Sequence, residues 1–210
     1  MKSRSYASPL RARAAEATRE RILEAAFARF STDYYEDVTL DAIAADADVT
    51  VQTVLRRFGN KESLVRTLAQ SVTPQVTAQR DEAPSGDIPQ AVANVVDHYE
   101  AIGDLVMLLL RQEEQVAPFA DATAFGKKYH SGWIDRVFAE WLDQRSIDDR
   151  RRLHAQLVAT CDTYTWYLLR RQQELSREET ELALVEIITG LLTSSTPAHP
   201  SRKSTSPDVR

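Results

Sequence analysis

Apolar side chains recur at the helical spacing in segment after segment of this chain, and no stretch alternates with period two long enough to form a strand. Ile22, Leu23, Ala26, Phe27 and Phe30 make one stripe within a helix expected from Arg11 to Phe30. Thr39 is placed to cap a short helix through Asp46 that buries Leu40, Ile43 and Ala44, and Thr50 a second with Val51, Val54, Leu55 and Phe58 on its apolar side. Gly59-Asn60 stops that helix and Asn60 caps a fourth, which Pro74 ends or kinks. Further helices are expected over 88–102, 104–116, 121–143, 148–174 and 177–193, with breaks at Gly103, Pro118, Ser146 and Ser176. The fold class is all-α.

Composition narrows the function. Only 6 glycines in 210 residues leave little for a glycine-rich phosphate loop, and no such motif occurs. One cysteine excludes an internal disulfide framework and any multi-cysteine zinc site. The four histidines show no ligand spacing, so no metal and no cofactor is expected. Cys161 and His154 could share a helix face, but nothing beside them supplies an oxyanion hole, and no catalytic residue is assigned. An enzyme is not expected. The longest apolar run, Leu105 to Leu110, is far short of a membrane span, and residues 1–20 hold no secretory h-region; the expected location is the cytoplasm, without membrane contact.

The net charge of −5 hides an asymmetry. Residues 1–30 carry seven basic and three acidic side chains, a net of +4, whereas residues 71–210 carry 15 and 21, a net of −6. Such a chain suits local contact with a polyanion, although a solvated basic tail would read the same.

The second and third short helices, joined by a three- or four-residue turn, form a helix-turn-helix candidate. In that unit the first turn of the last helix meets base edges. Here it holds Thr50, Val51, Gln52 and Thr53, followed by Arg56 and Arg57. Glutamine can pair bidentately with adenine, and arginine can fork onto guanine or a phosphate. Spacing alone leaves a DNA reader and a plain three-helix packing unit level.

Residue identities add to this. Arg21-Ile22-Leu23-Glu24-Ala25-Ala26, Val38-Thr39-Leu40-Asp41-Ala42-Ile43-Ala44, Val49-Thr50-Val51-Gln52-Thr53-Val54 and Phe58-Gly59-Asn60-Lys61-Glu62-Ser63-Leu64, in that order, resemble the amino-terminal signature of the TetR family of bacterial transcriptional regulators over residues 17–68. The resemblance implies a homodimeric repressor that binds a palindromic operator through its head and is released by a small molecule in its body. It also implies phosphate contacts at Thr39 and Lys61. The chain departs from the family at Leu55 and Arg57, where tyrosine is common, and at Tyr34-Tyr35 and Asp48, where glycine is common; Arg57 offers an ionic substitute for the lost phosphate contact.

The expected organisation is a flexible basic arm over 1–16, a DNA-binding head over 17–60, a ligand-binding and dimerisation body over 61–193 with 61–80 as connecting helix, and a disordered tail over 194–210. Segments 148–174 and 177–193 are apolar on more than one side, which suits helices buried against both their own domain and a second copy. Candidate pocket residues are Tyr99, Met107, Phe125, Tyr129, His130, Trp133, Asp162 and Trp166, with Phe119 and Tyr164 beside them, although aromatic side chains at this spacing also serve as ordinary core. Asp162 could instead pair with Arg170 or Arg171. The effector is unidentified, and control by a protein partner in place of a small ligand stays open.

Overall fold

The computed structural model describes residues 7–194 and is all-α, with no strand among them. The head is built from α1 (Ala7–Phe30), α2 (Leu40–Asp46) and α3 (Val51–Phe58). Each short helix is started by its own sequence: Thr39 accepts from the Ala42 N–H, Thr50 from Thr53, and Asn60 from Ser63 at the start of α4 (Lys61–Asp81). Their inner faces, Ile22, Ala26, Phe30, Ile43, Val54, Phe58 and Leu64, form one buried cluster. The helical hydrogen bonds of α4 continue through Pro74 to Asp81, so the proline does not end it.

Residues 7–16, expected as a flexible arm, are the first turns of α1, because the run Ala12 to Ala17 is rich in strong helix formers and Pro9 sits in the first turn, where a missing N–H costs nothing. Residues 1–6 of that arm, and all of the expected tail beyond Ser194, lie outside the described residues.

The body comprises α5 (Ile88–Leu110), α6 (Ala117–Val137), the single turn α7 (Ala139–Leu142), α8 (Ile147–Thr160), α9 (Thr163–Tyr167) and α10 (Arg177–Thr193). Two expected breaks move and one unexpected break appears. Helix α5 runs straight through Gly103, because that glycine is the seat of the Trp166 ring, into which a Cβ would collide. Pro118 begins α6 instead of interrupting a helix, the tolerated position for proline. The expected helix 148–174 is divided at Cys161–Asp162, where the Asp162 carboxylate accepts the Tyr164 N–H at 2.9 Å and starts α9 afresh. Asp162 is therefore a cap. Arg170 and Arg171, on the π-helical turn Leu168–Gln172 that extends α9, pair with Glu100 at 2.6 Å and Asp104 at 2.9 Å.

The body core gathers Val92, Val95 and Val96 of α5, Trp133, Ile134 and Val137 of α6, Leu153 and Leu157 of α8, Trp166, and Leu184 and Ile188 of α10. Helix α10 opens with a reciprocal capping box of Ser176 and Glu179. The boundary between head and body is not a gap. Val116 and Phe119 at the start of α6 belong to the head cluster, with Phe119 set edge-on to both Phe30 and Tyr35.

Candidate DNA reader and ligand cavity

The turn before α3 is closed by Val49 N–H donating to the Ala44 carbonyl at 2.9 Å, and Asp48 occupies it with φ 51°. That left-handed conformation favours glycine, and a short polar side chain is the next tolerated choice. Bidentate Arg29–Asp46 contacts of 2.6 and 3.0 Å pin α1 to the end of α2. On this frame Gln52 and Arg56 point outward and exposed, and Thr39 and Thr50 are exposed at the starts of α2 and α3.

The other expected DNA contacts lie differently. Val51 packs against the head cluster. The hydroxyls of Thr50 and Thr53 are 3.0 Å apart and bond each other. Arg57 is partly buried, and its Nε has no partner. Lys61 is drawn inward: its ammonium donates to the Tyr35 carbonyl and lies 4.0 Å above the Tyr35 ring, and burial holds its pKa below the usual lysine value. A lysine so placed braces the loop between α1 and α2 as much as it faces outward.

Beneath the head, α4, α5, α6 and the start of α9 line a cavity of about 240 Å³ that is partly open to solvent. Its walls are mainly apolar, including Val72, Val76, Ile102, Leu105, Val106 and Leu109. Of the eight predicted pocket residues, Tyr99, Phe125, Tyr129, His130 and Asp162 line it. Met107, Trp133 and Trp166 do not: Met107 is buried elsewhere, Trp133 lies behind Arg80, and Trp166 is wedged onto Gly103 with its N–H on Glu100 at 3.0 Å.

The lining residues outside the set expected from sequence include Phe27 from the head, Arg80, His98 and Thr163. By composition Arg80 opens a linker expected from Arg80 to Gln90, with Pro84, Gly86 and Pro89, yet Val72, Thr73, Val76, Thr77 and Arg80 share one face of α4 at the helical spacing. An arginine ending an apolar stripe is the signal that the sequence holds for it.

The polar groups of the cavity are poised by their neighbours. His130 Nδ1 faces Arg80 Nη2 at 3.3 Å and its Nε2 faces the Val158 carbonyl at 3.1 Å. Since arginine can only donate, Nδ1 accepts and Nε2 carries the proton, a neutral tautomer. Burial and the Arg80 charge push His130 down to about 4, and burial, Arg80 and His130 push His98 down to about 3. Burial raises the Tyr129 hydroxyl to about 12, aided by Asp81 at 2.6 Å. Cys161 is buried and its thiol is raised to about 12, while His154 turns instead to Ser131 and Asp135. Among the described residues no cluster of three metal-ligating side chains occurs, and no helix is long and apolar enough to cross a membrane.

A helix-turn-helix head carried on a helical body with an internal cavity defines a class of protein, and comparison with known proteins agrees. Residues 22–68 match the family described as bacterial regulatory proteins, tetR family. The HTH-type transcriptional repressor KstR of Mycolicibacterium smegmatis (strain ATCC 700084 / mc(2)155) is 33% identical over 135 residues, a stretch covering 63% of this chain and 66% of that protein, just under two thirds of it. In fold, the chain is similar to a transcriptional regulator from Rhodococcus sp. Rha1 (TM-score 0.65, 18% identity, 83% of this chain and 95% of that one) and to a transcriptional regulator from Pseudomonas aeruginosa PAO1 (TM-score 0.64, 15% identity, 83% and 89%). The match to the TetR family of bacterial regulatory proteins lies in the head, residues 22–68.

Proposed function

We propose that this protein is a homodimeric repressor that reads a palindromic operator through α3 and lets go when a small molecule fills the body cavity. The observation that carries the ligand-controlled reading is Phe27: a side chain of the head's first helix forms part of the cavity wall. A molecule entering there touches α1 directly and α4 along Ala69, Val72, Thr73, Val76 and Thr77, so it acts on the two helices that hold the reader in place. KstR is described as a transcriptional repressor, which supports the sign of the control. A protein partner docking on the body would leave this cavity without a role.

Gln52 is assigned to a base edge and Arg56 to a phosphate or guanine, with the exposed Thr39 and Thr50 hydroxyls beside them. Lys61 and Arg57 are assigned chiefly to positioning. Dimerisation is supported by apolar side chains that the single chain leaves in water: Tyr164 and Leu168 on α9 and its π-helical extension, and Leu182, 58% exposed, with Ile187 on α10. Two copies joined there would present two readers related by a two-fold axis, as a palindrome requires. The reader and the dimer are tested together by selecting bound duplexes from a random DNA pool at near-physiological salt. An inverted repeat is expected; binding without sequence preference that vanishes on modest added salt would refute the reading.

A further inference from the structure

Arg80 is 2% exposed and forms no ion pair among the described residues. Its guanidinium carries the positive charge of a side chain that does not deprotonate in proteins, yet Nε and Nη1 have no hydrogen-bond partner, and its polar neighbours are neutral, the His130 ring at Nη2 and the Tyr99 hydroxyl. Burial holds its pKa below the usual arginine value. Trp133, 4.0 Å beneath the guanidinium, steadies its face without using any of its donors. The Trp133 N–H and Arg136 Nη2 both bond the Arg80 carbonyl, so the same tryptophan that lies under the guanidinium is tied to the Arg80 backbone.

The orphaned cation is one wall of the cavity, and a second orphan lies on the same cavity: the Thr163 hydroxyl, on a residue only 4% exposed, has no partner. Among the described residues the one carboxylate lining the cavity, Asp162, is engaged at the start of α9. Lys127, the other basic lining residue, is occupied by Glu113 at 2.8 Å and largely exposed. The remaining walls are mainly apolar. A buried charge left this way is compensated only when something brings it an opposite charge.

We propose that the effector of the cavity is an apolar acid, whose single anionic head pairs with Arg80 beside the Thr163 hydroxyl and whose hydrocarbon body lies against Val72, Val76, Ile102 and Val106. The inference rests on the reading of the cavity as an effector site and adds its chemistry. Size fits a compact molecule: a dry cavity of about 150 Å³ holds benzene, so the volume here suits about ten non-hydrogen atoms. A carboxylate on a seven- or eight-carbon body meets that limit, and arginine's planar fork matches it with two parallel N–H donors.

The test uses the full-length protein with straight-chain carboxylic acids of about six to twelve carbons, against the primary alcohols and amines of the same lengths, by calorimetry and thermal shift. Acids near eight carbons are expected to bind about tenfold or more tighter than the matched alcohol, and the amines not at all. Arg80→Met is expected to bring acid and alcohol within roughly threefold, and Arg80→Lys to restore part of the preference. The head-group comparison in the unmodified protein decides the matter even if Arg80→Met misfolds. Equal binding of acid and alcohol, an acid preference retained in well-folded Arg80→Met, or no binding by any acid would each overturn the proposal. Release of DNA by a neutral compound in the cavity would refute the acid and leave ligand control standing. Failure to select an operator would refute the regulator and leave the Arg80 result untouched.

Discussion

The backbone N–H of Tyr35, in the loop after α1, donates to the side-chain oxygen of Gln112 at 2.8 Å, joining head and body across 77 positions of the chain. Gln112 follows α5, the helix that supplies one wall of the cavity, and its amide nitrogen donates back to the Leu108 carbonyl at 3.0 Å. With Phe119 of α6 seated against Phe30 and Tyr35, the head is held by polar and apolar contacts to α6 and to the end of α5, two of the helices that line the cavity. Repacking inside the body therefore reaches the reader through these side-chain contacts and not only along α4.

Gln112→Leu keeps the volume and removes the acceptor, leaving the partly buried Tyr35 N–H unpaired. The expected cost is about 1–3 kcal/mol in chemical denaturation. A change below about 0.5 kcal/mol would mean that water replaces the amide there and that the contact is not a brace.

Gln52 and Arg56 divide the work of reading. Gln52→Ala is expected to weaken the selected operator by about 1–3 kcal/mol and random duplex far less, since it removes a base contact. Arg56→Ala is expected to weaken both and to lower the salt dependence by about one counterion per protomer. Binding titrations at several salt concentrations separate the two. If both variants keep the parent's ratio of specific to random binding, α3 is not seated in the groove as proposed.

Much of the head is legible in the sequence because its signals are local. Thr39, Thr50 and Asn60 each cap the helix they precede, and each cap accepts from an N–H only three residues on. The body is legible in helix content but not in helix limits, because its limits are set by distant partners. Gly103 reads as a break until Trp166, far along the chain, fills the space it leaves. Asp162 resembles half of an ion pair in sequence, whereas in the fold Glu100 and Asp104 take Arg170 and Arg171. Arg80 falls at a composition boundary and so reads as linker, although its helical face marks it as inward. Aromatic identity alone does not tell Tyr99, on the cavity, from Trp133, one layer behind it.

The glycines of the body separate close packing from open space. Gly103→Ala would drive a methyl group into the Trp166 ring, and the expected loss is about 1–3 kcal/mol, the usual range for overpacking. Gly126 and Gly132 lie within α6 with open space where a methyl group would go, so alanine at either is expected to be neutral or to stabilise by up to about 1 kcal/mol. Thermal melts of the three variants decide it. Equal behaviour would mean that Trp166 can retreat from Gly103 without cost.

Acid should loosen this protein before its carboxylates titrate. His98 and His130 ionise near 6.5 when exposed, but in the fold they are held down to about 3 and about 4. Between pH 6.5 and about 4 the unfolded chain therefore binds more protons than the folded one, and stability falls as pH is lowered. Their contribution is fully present above pH 6.5 and each ring removes up to about 1.4 kcal/mol per pH unit below it. The carboxylates with lowered values, Glu100, Glu113 and Glu179 from an ordinary 4.5 and Asp46 from 3.8, act below those values, so the window from pH 6.5 to 4.5 belongs chiefly to the two rings. Between pH 7 and pH 5 the loss is expected to be on the order of 2–4 kcal/mol, read as a falling urea midpoint. The double variant His98→Asn with His130→Gln should flatten that fall, because neither amide titrates. A wild-type midpoint unchanged from pH 7 to pH 5 would show that both rings accept protons in the fold at no cost, and that the Arg80 charge does not reach them.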